Sequence, residues 1–438
     1  MLANKSNLIY RSYKNALKQF YTTLIFAKKI IMRITIILLA IVLSTNAFAQ
    51  KNTYDLVINN VNVIDQNSNK VLPAQNVYVK NGVVEITNKM IKIPAPKQQI
   101  DGTGKYFMTA LWDMHVHFPQ DDEARFFNLQ TAAGITNCRI MKSEANTVAF
   151  AKTAKQSPAM KICYNFNGEE KYSLDSVATI INSLKKKGYD FIKCFGVRDE
   201  AFFDAIMKAA KANNIIVCGH ALSNIKPKKV LASGYKSIEH VGYFDKIKSA
   251  EILDSLILLA KANNVYVCPT LDWSMQVYHS IPLDSMQYRA GYAIGTKLYK
   301  IAWDTTYEAM NQQLKGNEKK YADFMRNGVE QKITILTKLR EAGVKIIAGS
   351  DAEEPYQTPG FSLIDELKLI QKAGFTNAEL LQMVTTNANA FFGITTKKNE
   401  YILLEKNPLE NIGNLESVQY VIKGKEVVDC KKLLDTIK

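Results

Sequence analysis

The chain has 438 residues, 47% of them hydrophobic, with 56 Lys and Arg against 41 Asp and Glu. That length and apolar content suit one large barrel plus a smaller domain and exclude a disordered or fibrous protein. The formal charge of +15 overstates the basicity: Lys5, Arg11, Lys14, Lys18, Lys28, Lys29 and Arg33 all precede residue 50 with no acid among them, leaving 49 basic against 41 acidic residues, spread without a basic block, so no nucleic-acid partner is expected.

At the N-terminus, Met32-Arg33 precedes the apolar run Ile34–Leu43, and Ala47-Phe48-Ala49 supplies a small-x-small cleavage site. This is the pattern of an export signal, with Met32 as the expected start and Gln50 as the first residue of a periplasmic or secreted chain. The apolar run is short for a bilayer, so no membrane span is expected after its removal. No Cys follows the cleavage site to carry a lipid anchor. Of the six cysteines, Cys138, Cys163, Cys194, Cys218 and Cys268 each fall in a separate apolar run and Cys430 lies far along the chain, so they read as small buried hydrophobes rather than disulfides or metal ligands.

From Tyr54 to Phe107 short β-rich runs alternate with turns: Leu56-Val57-Ile58, Val61–Ile64, Val77-Tyr78-Val79 and Val83–Ile86, with Asn81-Gly82 as a hairpin turn. The same texture returns at Tyr401–Leu404, Val418–Ile422 and Glu426–Val428. Between them strands and helices alternate. The strand candidates are His115–Phe118, Thr136–Met141, Met160–Tyr164, Phe191–Phe195, Ile215–Cys218, Ser237–His240, Val265–Pro269 and Lys345–Ala348. Eight is the number a (β/α)8 barrel requires. The expected fold is therefore α/β: a TIM barrel over 109–396, with a long helical insertion at 274–340, and a small β-sandwich domain made from 50–108 and 397–438. An insertion of that length after a barrel strand suits a wall or lid.

Four of the five histidines fall in order on those strands. His115 and His117 share one strand, and side-chain alternation aims both imidazoles at the same face, which suits two ligands on one metal. His220 ends Ile215–His220, His240 ends Ser237-Ile238-Glu239-His240, and Asp351 ends Ile346–Asp351. Parallel barrels carry their chemistry at such C-terminal strand ends. Lys193 interrupts Phe191-Ile192-Lys193-Cys194-Phe195. Burial lowers a lysine pKa, and a neutral amine can add carbon dioxide to give a carbamate whose two oxygens bridge cations. Singly, each residue has a plainer reading: a core His pair, a rim lysine, a turn-forming Asp. The ordered set points instead to two divalent cations, zinc being the expected ion, with carbon dioxide needed for the lysine. Glu239, next to His240, alternates to the opposite face, and Asp113 and Glu239 both read as structural. His279 lies in the insertion and fits no strand end.

The residues Leu111–His117, Lys193, Gly219-His220-Ala221, Gly234–His240, Pro269-Thr270-Leu271, Gly343–Asp351 and Asn407–Glu410 together resemble the amidohydrolase superfamily, and within it the exported group related to imidazolonepropionases and Xaa-Pro dipeptidases. The resemblance implies that His115, His117 and Asp351 hold one metal and His220 and His240 the other, bridged by carboxylated Lys193 and a hydroxide. Two departures lie at the β-domain junction: Thr109-Ala110-Leu111 stands where the family has Pro-Gly-Leu, and the usual Ala-Asp-Leu is replaced around Asn399-Glu400-Tyr401.

The expected reaction is hydrolysis of a C–N bond in an amide, peptide-like or cyclic-amide small molecule through that metal-bridging hydroxide, with Asp351 moving the proton and Tyr243, just past His240, placed to stabilise the oxyanion. Alternatives on the same site are a mononuclear deaminase and a lactone or phosphoester hydrolase. A non-catalytic binding protein on a degenerate barrel is the alternative from another class. Substrate, metal identity and whether the chain forms a homo-oligomer stay open.

Overall fold

The computed structural model describes residues 14–37 and 54–437, apart from positions 16, 25, 27, 67, 120–121, 154–157, 276–282, 296, 353–354 and 396–399. Residues 28–37 are helical and exposed, and carry Ile34–Ile37 of the expected export signal; the remainder of that signal, with Ala47-Phe48-Ala49, lies outside the described residues, as does His279. Among the described residues, no helix is long and apolar enough to cross a membrane.

Five strands open the described chain after residue 54: β1 (Leu56–Asp65), β2 (Lys70–Lys80), β3 (Val83–Thr87), β4 (Gln99–Asp101) and β5 (Tyr106–Thr109). The two runs expected at Leu56–Ile58 and Val61–Ile64 are one strand, interrupted by register shifts rather than a turn. Between β2 and β3, Asn81 and Gly82 both have positive φ (53° and 78°), the backbone a two-residue hairpin needs.

The barrel follows: β6 (Leu111–His117), β7 (Ile135–Lys142), β8 (Ala159–Asn167), β9 (Phe191–Gly196), β10 (Ile216–Gly219), β11 (Ser237–Glu239) and β12 (Tyr266–Cys268). Neighbours pair in chain order and all in parallel, giving a seven-stranded sheet. The expected eighth strand is an extended segment with a single bridge, Val267 to Ile346. It still closes the ring. Val267 N donates to Lys345 O (3.1 Å) and Ile347 N to Val267 O (3.0 Å) on one side; Met114 N donates to Ala348 O (3.0 Å) and Asp351 N to His115 O (2.9 Å) on the other. Gly349 makes the approach to β6 feasible, since a Cβ there would collide with the His115 backbone nitrogen. Asp113 pins the same seam: its carboxylate accepts from Ser350 N (2.9 Å), Ser350 Oγ (2.5 Å) and His115 N (3.2 Å).

Helices cover the barrel's outer face, which is why its strands read as continuous apolar runs. Helix Glu200–Ala212, capped by the Asp199 side chain, buries Phe202, Phe203, Ile206, Ala209 and Ala210, a stripe at helical spacing. Burying each large side chain stabilises the wall by about 1.5–3 kcal/mol. Helices Leu174–Lys187 and Ala250–Ala262 repeat the plan with Ser173 and Ser249 as caps.

The stretch between β12 and the eighth segment holds helices Lys297–Leu314 and Glu318–Ala342. The second is more than an insertion: it buries Val329, Ile333, Leu336 and Leu339 as part of the barrel wall. The rest is stapled beside the mouth. Trp303 packs on Tyr356 with ring centroids 5.6 Å apart, and Arg289 pairs with Asp272 (2.7 Å) and Asp365 (3.3 Å). Asp272 follows β12 and Tyr356 follows Asp351, so this wall is tied to both strand ends that flank the site.

Three strands, β13 (Glu400–Leu404), β14 (Val418–Lys423) and β15 (Glu426–Asp429), return the chain to the small domain. β13 pairs antiparallel with β5, completing an eight-stranded mixed sheet in the order β15-β14-β13-β5-β1-β2-β3 with β4 on β1. Its core includes Leu56, Ile58, Val77, Val79, Phe107, Leu403 and Ile422. At the junction where the chain departs from the family pattern, Glu400 accepts from Asn137 Nδ2 (2.6 Å) and Thr136 Oγ1 (3.1 Å) of β7.

Candidate metal centre

The ends of the barrel strands bring all six residues singled out in the sequence together. His115, His117 and Asp351 offer ligand atoms that all lie within 4.8 Å of one another. Asp351 Oδ1 is 3.6 Å from His115 Nε2 and 3.4 Å from His117 Nε2. Its other oxygen is 3.6 Å from His240 Nδ1. One carboxylate therefore stands between three imidazoles. It gets there because the chain turns sharply at the strand end, with φ 49° at Asp351, a left-handed conformation that Asp tolerates better than most residues.

The second pair is built by similar turns. Gly219 precedes His220 with φ 142°, and a side chain there would collide with the Cys194 backbone. His240 and Val241 both have φ 61°. For a β-branched residue such as Val241 that is a strained geometry, of the kind that clusters at functional sites. His220 Nε2 and His240 Nε2 face each other at 3.2 Å. Phe195 packs against His220 and Trp273 against His240, with ring centroids 5.0 and 5.1 Å apart, and Thr270 Oγ1 lies 2.5 Å from His240 Nδ1.

Lys193 is fully buried on β9. Its Nζ lies 3.4 Å from His115 Nε2 and 4.1 Å from the Phe195 ring centroid, and among the described residues no carboxylate forms an ion pair with it. Burial pushes its amine below the usual lysine range. Burial also depresses the histidines: His115 and His240 fall well below the ordinary imidazole value and His220 to about 4, each with the charge of Lys193 adding to the effect. These three rings are neutral at pH 7 and keep a lone pair for a ligand. Neutral imidazoles converging with one carboxylate are the donor set a divalent cation such as zinc takes, so the residues fit the metal that the resemblance implies.

Two further residues border the site: Glu239, which the sequence marks only as structural, and Arg139, to which the sequence assigns no role. Glu239, read as structural, is fully buried, with Oε2 2.9 Å from His115 Nδ1. Arg139 lies beside it, NH2 to Oε2 at 2.8 Å. Arg139 interrupts its strand as a charged residue, but its partner lies 100 residues away and no spacing links the two. Tyr243 is placed differently from the expectation of an oxyanion donor. Its hydroxyl accepts from Leu222 N (2.6 Å) and donates to Leu222 O (3.0 Å), so both its capacities are spent on holding the segment after His220. All six cysteines are buried and free, as small core residues.

The model of the amidohydrolase family matches residues 106–399. The chain belongs to the amidohydrolase family. No curated protein matches it by sequence. Among solved structures, a Xaa-Pro dipeptidase with bound methionine superimposes with a TM-score of 0.64 at 18% identity, over 85% of this chain and 99% of its own. A bottromycin amidohydrolase does so at 0.67 and 19%, over 87% and 90%. The ochratoxinase of A. niger gives 0.63 and 16%, over 86% and 96%. At these identities the likeness is one of fold. This amidohydrolase thus has the barrel with an appended β-domain, and its clustered histidines and Asp351 sit where the barrel fold places chemistry.

Proposed function

We propose that the chain hydrolyses a C–N bond, in an amide, peptide-like or cyclic-amide small molecule, with two divalent metal ions, zinc foremost. The observation that carries this reading is Asp351, a single buried carboxylate within 3.6 Å of His115, His117 and His240. His115, His117 and Asp351 would hold one ion, and His220 and His240 the other. When bound, the metal supplies Lewis acidity toward the scissile carbonyl and lowers the pKa of water.

The chain's own residues do the rest. The Lys193 nitrogen attacks carbon dioxide, an N–C bond forms as one C=O π bond opens, and the nitrogen gives one proton to water, leaving a carbamate whose two oxygens would join the histidines and Asp351 as ligands. Its burial among Phe195 and His115 keeps the amine neutral enough for that addition. A carboxylate oxygen of Asp351 takes the proton released as water attacks and returns it to the leaving nitrogen. Phe195 and Trp273 pack against His220 and His240 and help hold these two rings in place. The export pattern at residues 32–49 supports a periplasmic or secreted enzyme.

The test is turnover of the mature protein on dipeptides, N-acyl amino acids and cyclic imides, with lactones and phosphoesters alongside, before and after exhaustive chelation. Expected is hydrolysis of one C–N class, abolished by chelation and restored by Zn2+ or a similar ion. Turnover that survives chelation, or that is confined to esters, would contradict the proposal.

A further inference from the structure

We propose that Arg139 and Glu239 form a positioning pair beneath the metal centre, with Arg139 holding Glu239 as a pure acceptor and Glu239 holding His115 in the tautomer whose Nε2 lone pair faces the ion. The proposal rests on the metal centre argued above. Its evidence is a set of hydrogen bonds across the barrel floor that the proposed reaction does not itself use.

Arg139, on β7, is fully buried; its guanidinium has three oxygen partners and, from NH1, the Cys218 Sγ at 3.7 Å. Nε donates to Met114 O (2.5 Å), NH1 to Ser237 Oγ (3.0 Å) and NH2 to Glu239 Oε2 (2.8 Å). The guanidinium carbon also stands 5.0 Å from the Phe391 ring centroid. Glu239 in turn accepts the Ser237 hydroxyl at Oε1 (2.6 Å). Its Oε2 receives Arg139 and faces His115 Nδ1 at 2.9 Å. Two hydrogens already point at this carboxylate from neighbours, one from Arg139 and one from Ser237. An ionised carboxylate only accepts, so the hydrogen between Oε2 and Nδ1 belongs to the imidazole. A neutral imidazole with its proton on Nδ1 has its lone pair on Nε2. That atom is the one turned toward Lys193 Nζ (3.4 Å) and Asp351 Oδ1 (3.6 Å).

The pair also decides what a second cluster does. His115, Glu239 and Cys268 offer ligand atoms within 4.8 Å of one another, deep in the barrel. The cation at that carboxylate is the Arg139 guanidinium, a fixed charge that a divalent ion would have to displace. The three strands involved, β6, β7 and β11, are thereby locked to one another at the floor, and the His115 ring cannot rotate without breaking the bond to Glu239. Partners of this kind orient metal-bound histidines, and losing them costs about 10–100-fold in metal affinity.

The experiment starts with metal-free wild-type protein carrying 15N-labelled histidine. The two ring nitrogens of His115, assigned by comparison with His115→Gln, are expected to show the proton on Nδ1. The second measurement is Zn2+ affinity by competition with a chromophoric chelator, for wild type and for Arg139→Met/Glu239→Met, which removes both charges together and leaves apolar groups of similar length. A folded double variant is expected to bind Zn2+ about 10–100-fold more weakly. A proton on Nε2 in the wild type overturns the pair, and that result needs no variant to fold. So does a folded double variant with unchanged affinity, the outcome a merely structural pair would give. Wild-type protein that takes up no Zn2+ removes the metal centre itself, whichever nitrogen carries the proton.

Discussion

Replacing Lys193 with alanine is expected to remove about one of two bound metals and to lower turnover by on the order of a hundredfold or more. Lys193 is fully buried and its Nζ lies 3.4 Å from His115 Nε2, so a carbamate formed on it would place its oxygens among the histidines, and alanine would remove them. Carbon dioxide is part of the expectation. Metal-free enzyme reconstituted in bicarbonate should regain more activity than the same protein in carbon-dioxide-free buffer, because the carbamate forms from neutral amine and dissolved gas. Short carboxylic acids should partly restore the alanine variant by supplying bridging oxygens. Lys193→Met separates this from a lysine that only packs: an apolar side chain of similar length fits the same buried position. If Lys193→Met holds two metals with unchanged turnover, and bicarbonate has no effect on the wild type, the bridging role is wrong.

The second large effect falls on Asp351. Asp351→Asn is expected to keep much of its metal and lose about a hundred- to ten-thousandfold in turnover. Asparagine preserves the shape of the side chain and a carbonyl oxygen that can face His115 and His117, where Oδ1 now lies at 3.6 and 3.4 Å. It cannot take up a proton. Measuring metal content beside turnover on the same preparation separates the two functions of the residue. Turnover near the wild-type value would exclude Asp351 as the group that moves the proton.

Much of this architecture is legible in the chain because parallel strands covered by helices must be apolar along their length, and polar residues can interrupt them only where a site or a partner needs them. His115, His117, Lys193, His220, His240 and Asp351 stand out for that reason. Arg139 interrupts the apolar Thr136–Met141 run in the same way, yet its meaning depends on Glu239, 100 residues later, and no spacing rule links them. Glu239 is legible as a structural residue, but its contacts with His115 and Arg139 are not. The eighth strand is visible as an apolar run but not as a ladder, since its backbone bonds alternate between β12 and β6. Tyr243 shows the converse limit. Its position three residues after a ligand histidine suits an oxyanion donor, whereas the fold commits its hydroxyl to the Leu222 backbone.

The strand ends of this amidohydrolase are expected to hold divalent metal on the histidines, Lys193 and Asp351. The most direct measurement is the metal-to-protein ratio of the mature chain by elemental analysis, after reconstitution with Zn2+ in bicarbonate and removal of loose ions. The account predicts about two ions per chain in the wild type and fewer in both His115→Ala and His220→Ala, each variant still folded. A folded wild type that retains no metal, or histidine variants that retain as much as the wild type, would contradict it.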